Sequence, residues 1–188
     1  MSTLSDLDWP LRTERLTIRP ATAQDAEAVW RFRQLPTVAE WINRQPTDFA
    51  EWSEGFVEPK RLADTLLIEL DGEVIGDLML LREGPWSQIE VHEKAAGTQA
   101  ALGWVLHPDF EGRGYATEAV RALIEFCFAT LGMRRVTAYC FEANEPSWRL
   151  MERLGMRREA HNIRDSLHRT KGWLDGFAYA LLAEEWSG

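Results

Sequence analysis

The stretch that decides the fold reads Glu111-Gly112-Arg113-Gly114-Tyr115-Ala116-Thr117-Glu118-Ala119. It follows the apolar segment Leu102–Leu106 and opens a strongly periodic helical pattern. Glycine lets backbone N–H groups approach a ligand closely. The helix behind adds unpaired N–H donors and the positive end of its dipole. Because such a combination binds phosphate or pyrophosphate, the sequence predicts a phosphate-binding loop between a strand and a helix.

The helix after the glycines is indicated by apolar residues at helical spacing, which are Ala116, Ala119, Val120, Leu123, Ile124, Cys127 and Leu131. Glu118 lies in the first turn, and Gly132 stands where a helix C-terminal cap belongs. A glycine-rich turn before an ordinary core helix would show the same pattern, since short glycine motifs often occur without a ligand.

Two familiar phosphate motifs are excluded. The loop has no Gly-Lys-Ser/Thr ending, so it is not the loop of nucleoside-triphosphate hydrolases. A dinucleotide-binding fingerprint would require a third glycine at Thr117 and usually starts a domain, whereas this motif lies past the middle of the chain.

The longer segment His107–Ala119 resembles the pyrophosphate loop of the GNAT superfamily of N-acetyltransferases, Arg/Gln-x-x-Gly-x-Gly/Ala, which binds acetyl-CoA. Gly114 and Ala116 match this pattern, whereas Glu111 stands where Gln or Arg is usual. Because the loop acts chiefly through backbone N–H groups, we expect binding to survive, with Arg113 offsetting the carboxylate. The resemblance implies acetyl-CoA contacts from Gly112, Arg113, Gly114, Tyr115, Ala116 and Thr117.

Three further segments resemble the ribosomal-protein N-acetyltransferase (Rim-like) branch of that superfamily: Leu11–Pro20, Asn144–Met156 and Asp175–Trp186. The resemblance covers nearly the whole chain, although residues 83–97 have no clear counterpart. It implies an α/β fold with a mixed, mostly antiparallel central sheet and helices on both faces.

Bulk properties indicate one domain over residues 1–188, with a hydrophobic content of 45% that is typical of a globular protein. No apolar run reaches transmembrane length, and Met1–Trp9 lacks a signal-peptide pattern, so we expect a cytoplasmic protein. Cys127 and Cys140 lack the spacing of a metal site, and no metal is expected.

The formal net charge of −9 disfavours nucleic acid as a partner, because nucleic-acid binding needs a basic surface. It favours a cationic partner such as an amine, although acidity also serves solubility alone. The sequence leaves the oligomeric state open between a monomer and a homodimer.

Periodicity predicts the remaining elements. Strands are expected over residues 16–19, 66–70, 74–81, 101–106, 135–141, 156–163 and 177–183. Helices are expected over residues 23–35, 47–61 and 146–154. Asp71-Gly72 signals a hairpin, and Gly84–Gly97 is expected to be a polar connection. The alternation of strands and helices after Ala101 suggests βαβ units.

The resemblance also implies direct acetyl transfer, without an acyl-enzyme. A backbone N–H near Val105 or Leu106 would stabilise the oxyanion. Asn144 would bond the pantetheine amide, or cap its helix, which Asn does well.

Ser147 is the candidate proton donor to the departing thiolate, because the Tyr that many GNAT enzymes use is replaced by Met151. The alternative is that Ser147 is a small residue packed against the pantetheine arm.

The general base is not evident, since Ala101 stands where Rim-like enzymes often carry Glu. Glu90 is the candidate chosen, with His92, Glu93 and His107 as alternatives that could act through a water. Each of these side chains is otherwise an ordinary solvated residue.

We therefore interpret the chain as an acetyl-CoA-dependent N-acetyltransferase acting on a primary amine, either a protein N-terminus or a small molecule. A non-catalytic acyl-CoA-binding or sensor module is the alternative, suggested by Ala101 and Met151. A nucleotide-binding oxidoreductase is a distant third, disfavoured by the missing third glycine.

Overall fold

The computed structural model describes residues 7–188, and the chain divides into two compact units. The first unit runs to Leu80 and includes Trp104–Ala122, and the second comprises Leu81–Gly103 and Leu123–Gly188. Most of the segment without a signal-peptide pattern, Met1–Trp9, lies outside the described residues. The single domain expected from the sequence stays a prediction.

The described strands form an eight-stranded sheet in the order β1-β2-β3-β4-β5-β6-β8-β7. Their bounds are β1 Leu11–Arg12, β2 Leu16–Pro20, β3 Thr65–Leu70, β4 Glu73–Glu83, β5 Gln99–Leu106, β6 Arg135–Phe141, β7 Arg157–His168 and β8 Gly172–Leu182. β5 and β6 pair in parallel, whereas β1–β2, β2–β3, β3–β4, β6–β8 and β7–β8 pair antiparallel. The mixed, mostly antiparallel sheet is therefore confirmed, as is a βαβ unit around the glycine loop.

Seven α-helices lie in the described part of the chain: α1 Ala26–Arg33, α2 Pro36–Ala39, α3 Phe49–Phe56, α4 Pro59–Ala63, α5 His92–Ala95, α6 Tyr115–Glu125 and α7 Glu145–Arg153. α1 follows a 3-10 turn at Ala23–Asp25. α6 continues into a π-helical turn at Phe126–Thr130. Gly132 then has a φ of +65°, which confirms it as the residue that ends this helix.

One helix predicted over residues 47–61 is wrong, because the structure has two helices, α3 and α4, in its place. Pro59 opens α4, and Glu58 before it has extended backbone with ψ of 132°. The residue before a proline is excluded from helical conformation by a clash with the proline ring. The connection predicted at Gly84–Gly97 likewise contains structure, a 3-10 turn at Ile89–Val91 followed by α5.

The first unit is organised around the β3–β4 hairpin and the helices α1 and α3. Asp71 and Gly72 both have positive φ, 50° and 85°, which confirms the two-residue turn between β3 and β4. Buried side chains of α1, α3, β3 and β5 form one apolar cluster that includes Val29, Phe32, Trp52, Phe56, Leu67 and Val105. Burial of such large apolar side chains is the main source of this unit's stability.

The second unit is organised around β6, β8 and β7. Tyr179 of β8 is buried, accepts a hydrogen bond from Arg158 at 2.8 Å and donates one to Glu152 of α7 at 2.8 Å. Glu159 of β7 pairs with Arg135 of β6, and this hydrogen bond together with one from Arg157 lowers the pKa of Glu159 to about 2. Polar contacts therefore link α7 and β6 to the β7–β8 hairpin.

Gly76 of β4 is buried where β4 meets the end of β5. A Cβ atom at this position would lie 2.4 Å from the carbonyl oxygen of Val105 and 3.2 Å from the Cα of Leu106. We expect Gly76→Ala to lower the free energy of unfolding by at least about 1–3 kcal/mol, since backbone atoms must move to admit the methyl group. Chemical denaturation measures this change.

Gly55→Ala is the matched control, since a Cβ there meets nothing nearer than Arg44 at 3.9 Å. Within a helix, this change should stabilise by up to about 1 kcal/mol. Equal stabilities for Gly76→Ala and the wild type would contradict the close approach of β4 and β5.

Candidate functional site

The glycine loop connects the end of β5 to the start of α6. His107 opens a 3-10 turn at Pro108–Phe110, and its Nδ1 accepts a hydrogen bond from the N–H of Asp109 at 3.1 Å. Gly112 and Gly114 then adopt φ values of +72° and +82°. Since L side chains rarely adopt this conformation, the turn itself requires glycine at both positions.

The loop leaves its backbone donors unpaired within the chain. The N–H of Glu111 donates to Pro108 at 3.1 Å, and the next backbone bond is that of Glu118 to Gly114 at 3.0 Å. Between them, no carbonyl among residues 7–188 accepts from the N–H groups of residues 112–117. A Cβ atom at Gly112 would meet nothing within 4 Å. The arrangement supplies unpaired backbone donors in open space, which an anion requires.

Glu118, in the first turn of α6, is held by the segment between β1 and β2. Its carboxylate accepts hydrogen bonds from the Thr13 hydroxyl at 2.5 Å, the Arg15 N–H at 2.9 Å and the Arg15 Nε at 2.7 Å. Burial opposes ionisation of Glu118, but these hydrogen bonds outweigh it and lower the pKa of the carboxyl group. Glu118 therefore stays ionised and fixes the start of α6.

Arg15 also contacts the loop directly. Its guanidinium donates to the carbonyl of Arg113 at 3.0 Å and lies 4.5 Å from the centre of the Tyr115 ring. Its NH2 is the nearest atom to a Cβ built at Gly114, at 3.4 Å. Arg15 thus braces the loop from outside, a role that sequence reasoning missed because 98 residues separate it from Arg113.

The residues expected to supply the oxyanion donor lie at the end of β5. Val105 is buried and Leu106 is half-buried, and both contact β4 at Gly76. The N–H of the following residue, His107, donates to the carbonyl of Ile75 at 2.8 Å. The first unit therefore holds the end of β5 firmly just before the glycine loop.

In the second unit, Asn144 precedes α7. Its carbonyl accepts from the N–H groups of Ser147 and Trp148 at 3.1 and 3.4 Å, while its side chain forms no capping hydrogen bond. The alternative that the Asn144 amide caps the helix is therefore wrong. That amide stays available for another partner.

Ser147 lies half-buried in the first turn of α7, near the thiol of Cys140 on β6. Burial raises the pKa of Cys140 to about 11, although the nearby Ser147 hydroxyl acts in the opposite direction. Burial likewise raises the pKa of Cys127 to about 12, as expected of a thiol on the core face of a helix. Met151, one turn further along α7, is buried and packs as an apolar residue.

The candidate bases are exposed. Glu90 lies in the turn before α5 and forms no ion pair with any residue from 7 to 188. His92 is exposed, with its Nδ1 3.2 Å from the Ser87 hydroxyl. His107, in the first unit, lies between the rings of Phe32 and Phe110. In the described part of the chain, no group of three or more His, Cys, Asp or Glu could hold a metal ion.

The family is decided by comparison with known proteins. Residues 15–157 match the model of the acetyltransferase (GNAT) domain. The chain belongs to the GNAT family. The predicted family is thus confirmed, and with it an acyltransferase of the N-acetyltransferase class. The two rival interpretations, a non-catalytic module and an oxidoreductase, are set aside.

Two Bacillus subtilis proteins are similar over almost their whole length. The N-acetyltransferase YnaD, whose name calls it uncharacterized, is 38% identical over 181 residues, covering 94% of this chain and 99% of YnaD. YdaF, for which its name proposes a ribosomal N-acetyltransferase activity, is 30% identical over 188 residues, covering 93% and 95%. These relatives agree with the Rim-like branch predicted from the sequence.

Solved structures show the same fold. A GNAT-family acetyltransferase from Bacillus anthracis superposes with a TM-score of 0.78 at 30% identity, covering 94% of this chain and all of that one. RimJ from Mycobacterium smegmatis, solved with CoA-disulfide, gives a TM-score of 0.75 at 24% identity, covering 96% and 88%. Across residues 7–188, no helix has both the length and the apolar character needed to cross a membrane.

Because Arg15 contacts both Glu118 and the glycine loop, we expect its replacement to weaken ligand binding at the loop. Arg15→Ala removes the hydrogen bonds to Glu118 and Arg113, so the loop loses preorganisation, and we expect CoA to bind about tenfold more weakly. Calorimetric titration with CoA measures the dissociation constant. Arg12→Ala is the control, because Arg12 is exposed and, within residues 7–188, its side chain bonds only Thr17, at 3.4 Å. Equal CoA affinity for both variants would show that Arg15 does not organise the loop.

Proposed function

We propose that this N-acetyltransferase takes its acetyl group from acetyl-CoA and transfers it directly to a primary amine. The observation that carries the proposal is the loop at Gly112–Thr117, with two glycines at positive φ and N–H groups that no carbonyl of the described chain occupies. A pyrophosphate suits this loop because its charge is spread over several acceptor oxygens.

The residues of the loop fit the pyrophosphate of acetyl-CoA. The N–H groups of Gly112, Arg113, Gly114, Tyr115, Ala116 and Thr117 would donate to it. Glu111 and Arg113 are both exposed, so solvent screens the unfavourable carboxylate, and the guanidinium of Arg113 can offset it. The free side-chain amide of Asn144 would bond the pantetheine arm. Neither a nucleoside triphosphate nor NAD has its own recognition motif in this chain.

Acetyl transfer forms a C–N bond and breaks the C–S bond of the thioester. A backbone N–H at Val105 or Leu106 would stabilise the negative charge that develops on the carbonyl oxygen. The amine loses its proton to a base, for which Glu90 is our candidate, directly or through a water. The departing thiolate takes a proton from Ser147. No acyl-enzyme is formed, consistent with cysteines whose burial keeps both thiols protonated.

Ser147 lies half-buried at the start of α7, near the Cys140 thiol of β6. After it has given its proton to the thiolate, the serine oxygen regains a proton from water. Burial keeps the Cys140 thiol protonated at neutral pH, with a pKa of about 11, so Cys140 takes no part in the transfer.

The names of the relatives give one indication of the acceptor class. The name of YdaF refers to ribosomal proteins, which favours a protein N-terminus as acceptor. A small-molecule amine remains the second candidate, in keeping with the acidic net charge of −9 that attracts cations.

Acetyl-CoA binding is tested first. Calorimetry should show binding of acetyl-CoA, and none of NAD or ATP. Gly114→Ala and Gly114→Asp are matched variants, since both place a side chain at a φ of +82° and only Asp adds a negative charge. We expect the dissociation constant of acetyl-CoA to rise about tenfold or more from the Ala to the Asp variant, because Asp adds a negative charge beside the pyrophosphate. Binding of NAD alone, or equal affinity in two folded variants, would contradict the proposal.

Ser147→Ala separates proton donation from packing. Loss of a proton donor affects the transition state, so turnover should fall about a hundredfold while the acetyl-CoA dissociation constant changes little. Release of free thiol measures turnover, and calorimetry measures binding on the same variant. A packing role predicts the reverse, weaker binding with nearly normal turnover. Normal turnover at saturating substrate would leave water as the proton source.

A further inference from the structure

Arg61 of the first unit lies close to two other arginines, Arg33 and Arg44, and to one buried carboxylate, Asp77 of β4. Arg33, the last residue of α1, donates to both Asp77 oxygens, from Nε at 2.7 Å and from NH2 at 2.6 Å. The Asp77 side chain is 2% exposed. Such a two-point ion pair balances the charges of Asp77 and Arg33 against each other.

Arg44 has its own partner at the surface. It forms an ion pair with Glu51 of α3, and both side chains are more than half exposed. Water therefore solvates this pair, and the charge of Arg44 is balanced by Glu51 rather than by Asp77.

Arg61 of α4 differs from Arg33 and Arg44 because it forms no ion pair within residues 7–188. It is half-buried, and its guanidinium lies 5.8 Å from the ring centre of Trp52 and 5.9 Å from that of Phe56, both on α3. Burial lowers its pKa, as do Arg33 and Arg44, while Asp77 and Glu58 act in the opposite direction.

This environment is unfavourable for a cation that serves only stability. A charge removed from water needs a partner of opposite sign, and aromatic faces supply only part of the lost solvation. The guanidinium fork matches carboxylate and phosphate oxygens at two points, and Arg is the residue typical of such recognition. The site thus presents a positively charged, partly desolvated fork to an incoming anion.

The ion pair of Arg33 and Asp77 adjoins residues that contact the end of β5 and the start of the glycine loop. Phe32 precedes Arg33 in α1, and its ring lies 6.5 Å from the ring of His107, which leads from β5 into the loop. Asp77 follows Gly76, whose backbone abuts Val105 and Leu106. The last turn of α1 therefore contacts both the end of β5 and the ion pair beside Arg61.

We propose that Arg61 binds a carboxylate of the acceptor, so that the preferred acceptors are amines that also carry an acidic group. The inference rests on the proposed function, because it concerns the acceptor of that reaction. The net charge of −9 repels acidic molecules in general, so a local unpaired cation is what allows an acidic acceptor to bind.

Matched acceptors test the proposal. One pair is a C-terminally amidated peptide with a free N-terminal amine and either Asp or Asn at its second position. The other pair is β-alanine and its amide. Turnover with acetyl-CoA is measured for the wild type, Arg61→Gln and Lys60→Gln, the last being the control that removes an exposed neighbouring charge on α4.

The wild type should favour the acidic member of at least one pair by about tenfold in kcat/KM, the effect of one charge-assisted interaction. Arg61→Gln should bring this ratio near one and leave the neutral member within about twofold of wild type. Lys60→Gln should keep the ratio. An equal ratio in the wild type, or a ratio that survives in Arg61→Gln, would overturn the proposal.

Two further outcomes separate other causes. If Arg61→Gln weakens CoA binding tenfold and leaves the acceptor ratio unchanged, Arg61 takes a CoA phosphate and the carboxylate proposal is wrong. If no amine is acetylated, the proposed function fails for these acceptors. The anion site is then decided by calorimetric titration of the acidic peptide into CoA-loaded protein, where binding that does not depend on Arg61 overturns it.

Discussion

The start of α6, behind the glycine loop, is held in place by the contacts of Glu118 with Thr13 and Arg15. The carboxylate of Glu118 accepts three hydrogen bonds from the segment between β1 and β2. The first N–H groups of a helix have no partner within the helix, and no carbonyl among residues 7–188 accepts from the backbone donors at residues 112–117. A side chain therefore fixes the helix start, while these backbone donors are available to a ligand.

In the first unit, a buried carboxylate is likewise held by a direct partner from a distant segment of the chain. Asp77 and Arg33 satisfy one another at two points, and the apolar cluster around Trp52 and Phe56 packs beside them. Of the three arginines Arg33, Arg44 and Arg61, only Arg61 lacks an ion-pair partner among residues 7–188. Because a charge removed from water needs a partner of opposite sign, the half-buried guanidinium of Arg61 is assigned to a ligand.

Membership of the GNAT family comes with three departures in this chain: Glu111 in place of Gln or Arg, Ala101 in place of an expected Glu, and Met151 in place of a Tyr. Ala101 and Met151 are both buried and apolar, so neither position can supply acid or base chemistry. The features that do not depend on side-chain chemistry, the loop and the end of β5, are intact. The intact loop and the two buried apolar positions fit an enzyme in which backbone N–H groups hold the acyl donor. Side chains at positions other than 101 and 151 then transfer the protons.

The sequence by itself determined the features that a few neighbouring residues specify. The glycine loop, the Asp71-Gly72 turn, the Gly132 helix end and most strand positions were predicted, because each is set by local backbone preference or short periodicity. Even the break before Pro59, which was missed, has a local cause. Tertiary structure alone decided the Arg15 brace, the Arg33–Asp77 pair, the unpaired Arg61 and the Ser147–Cys140 contact. Arg15 and Glu118 are 103 residues apart, and Arg33 and Asp77 are 44 apart. The sequence around a charged side chain does not show whether that side chain is solvated by water or paired with a distant residue. Only the folded chain determines which of the two it contacts.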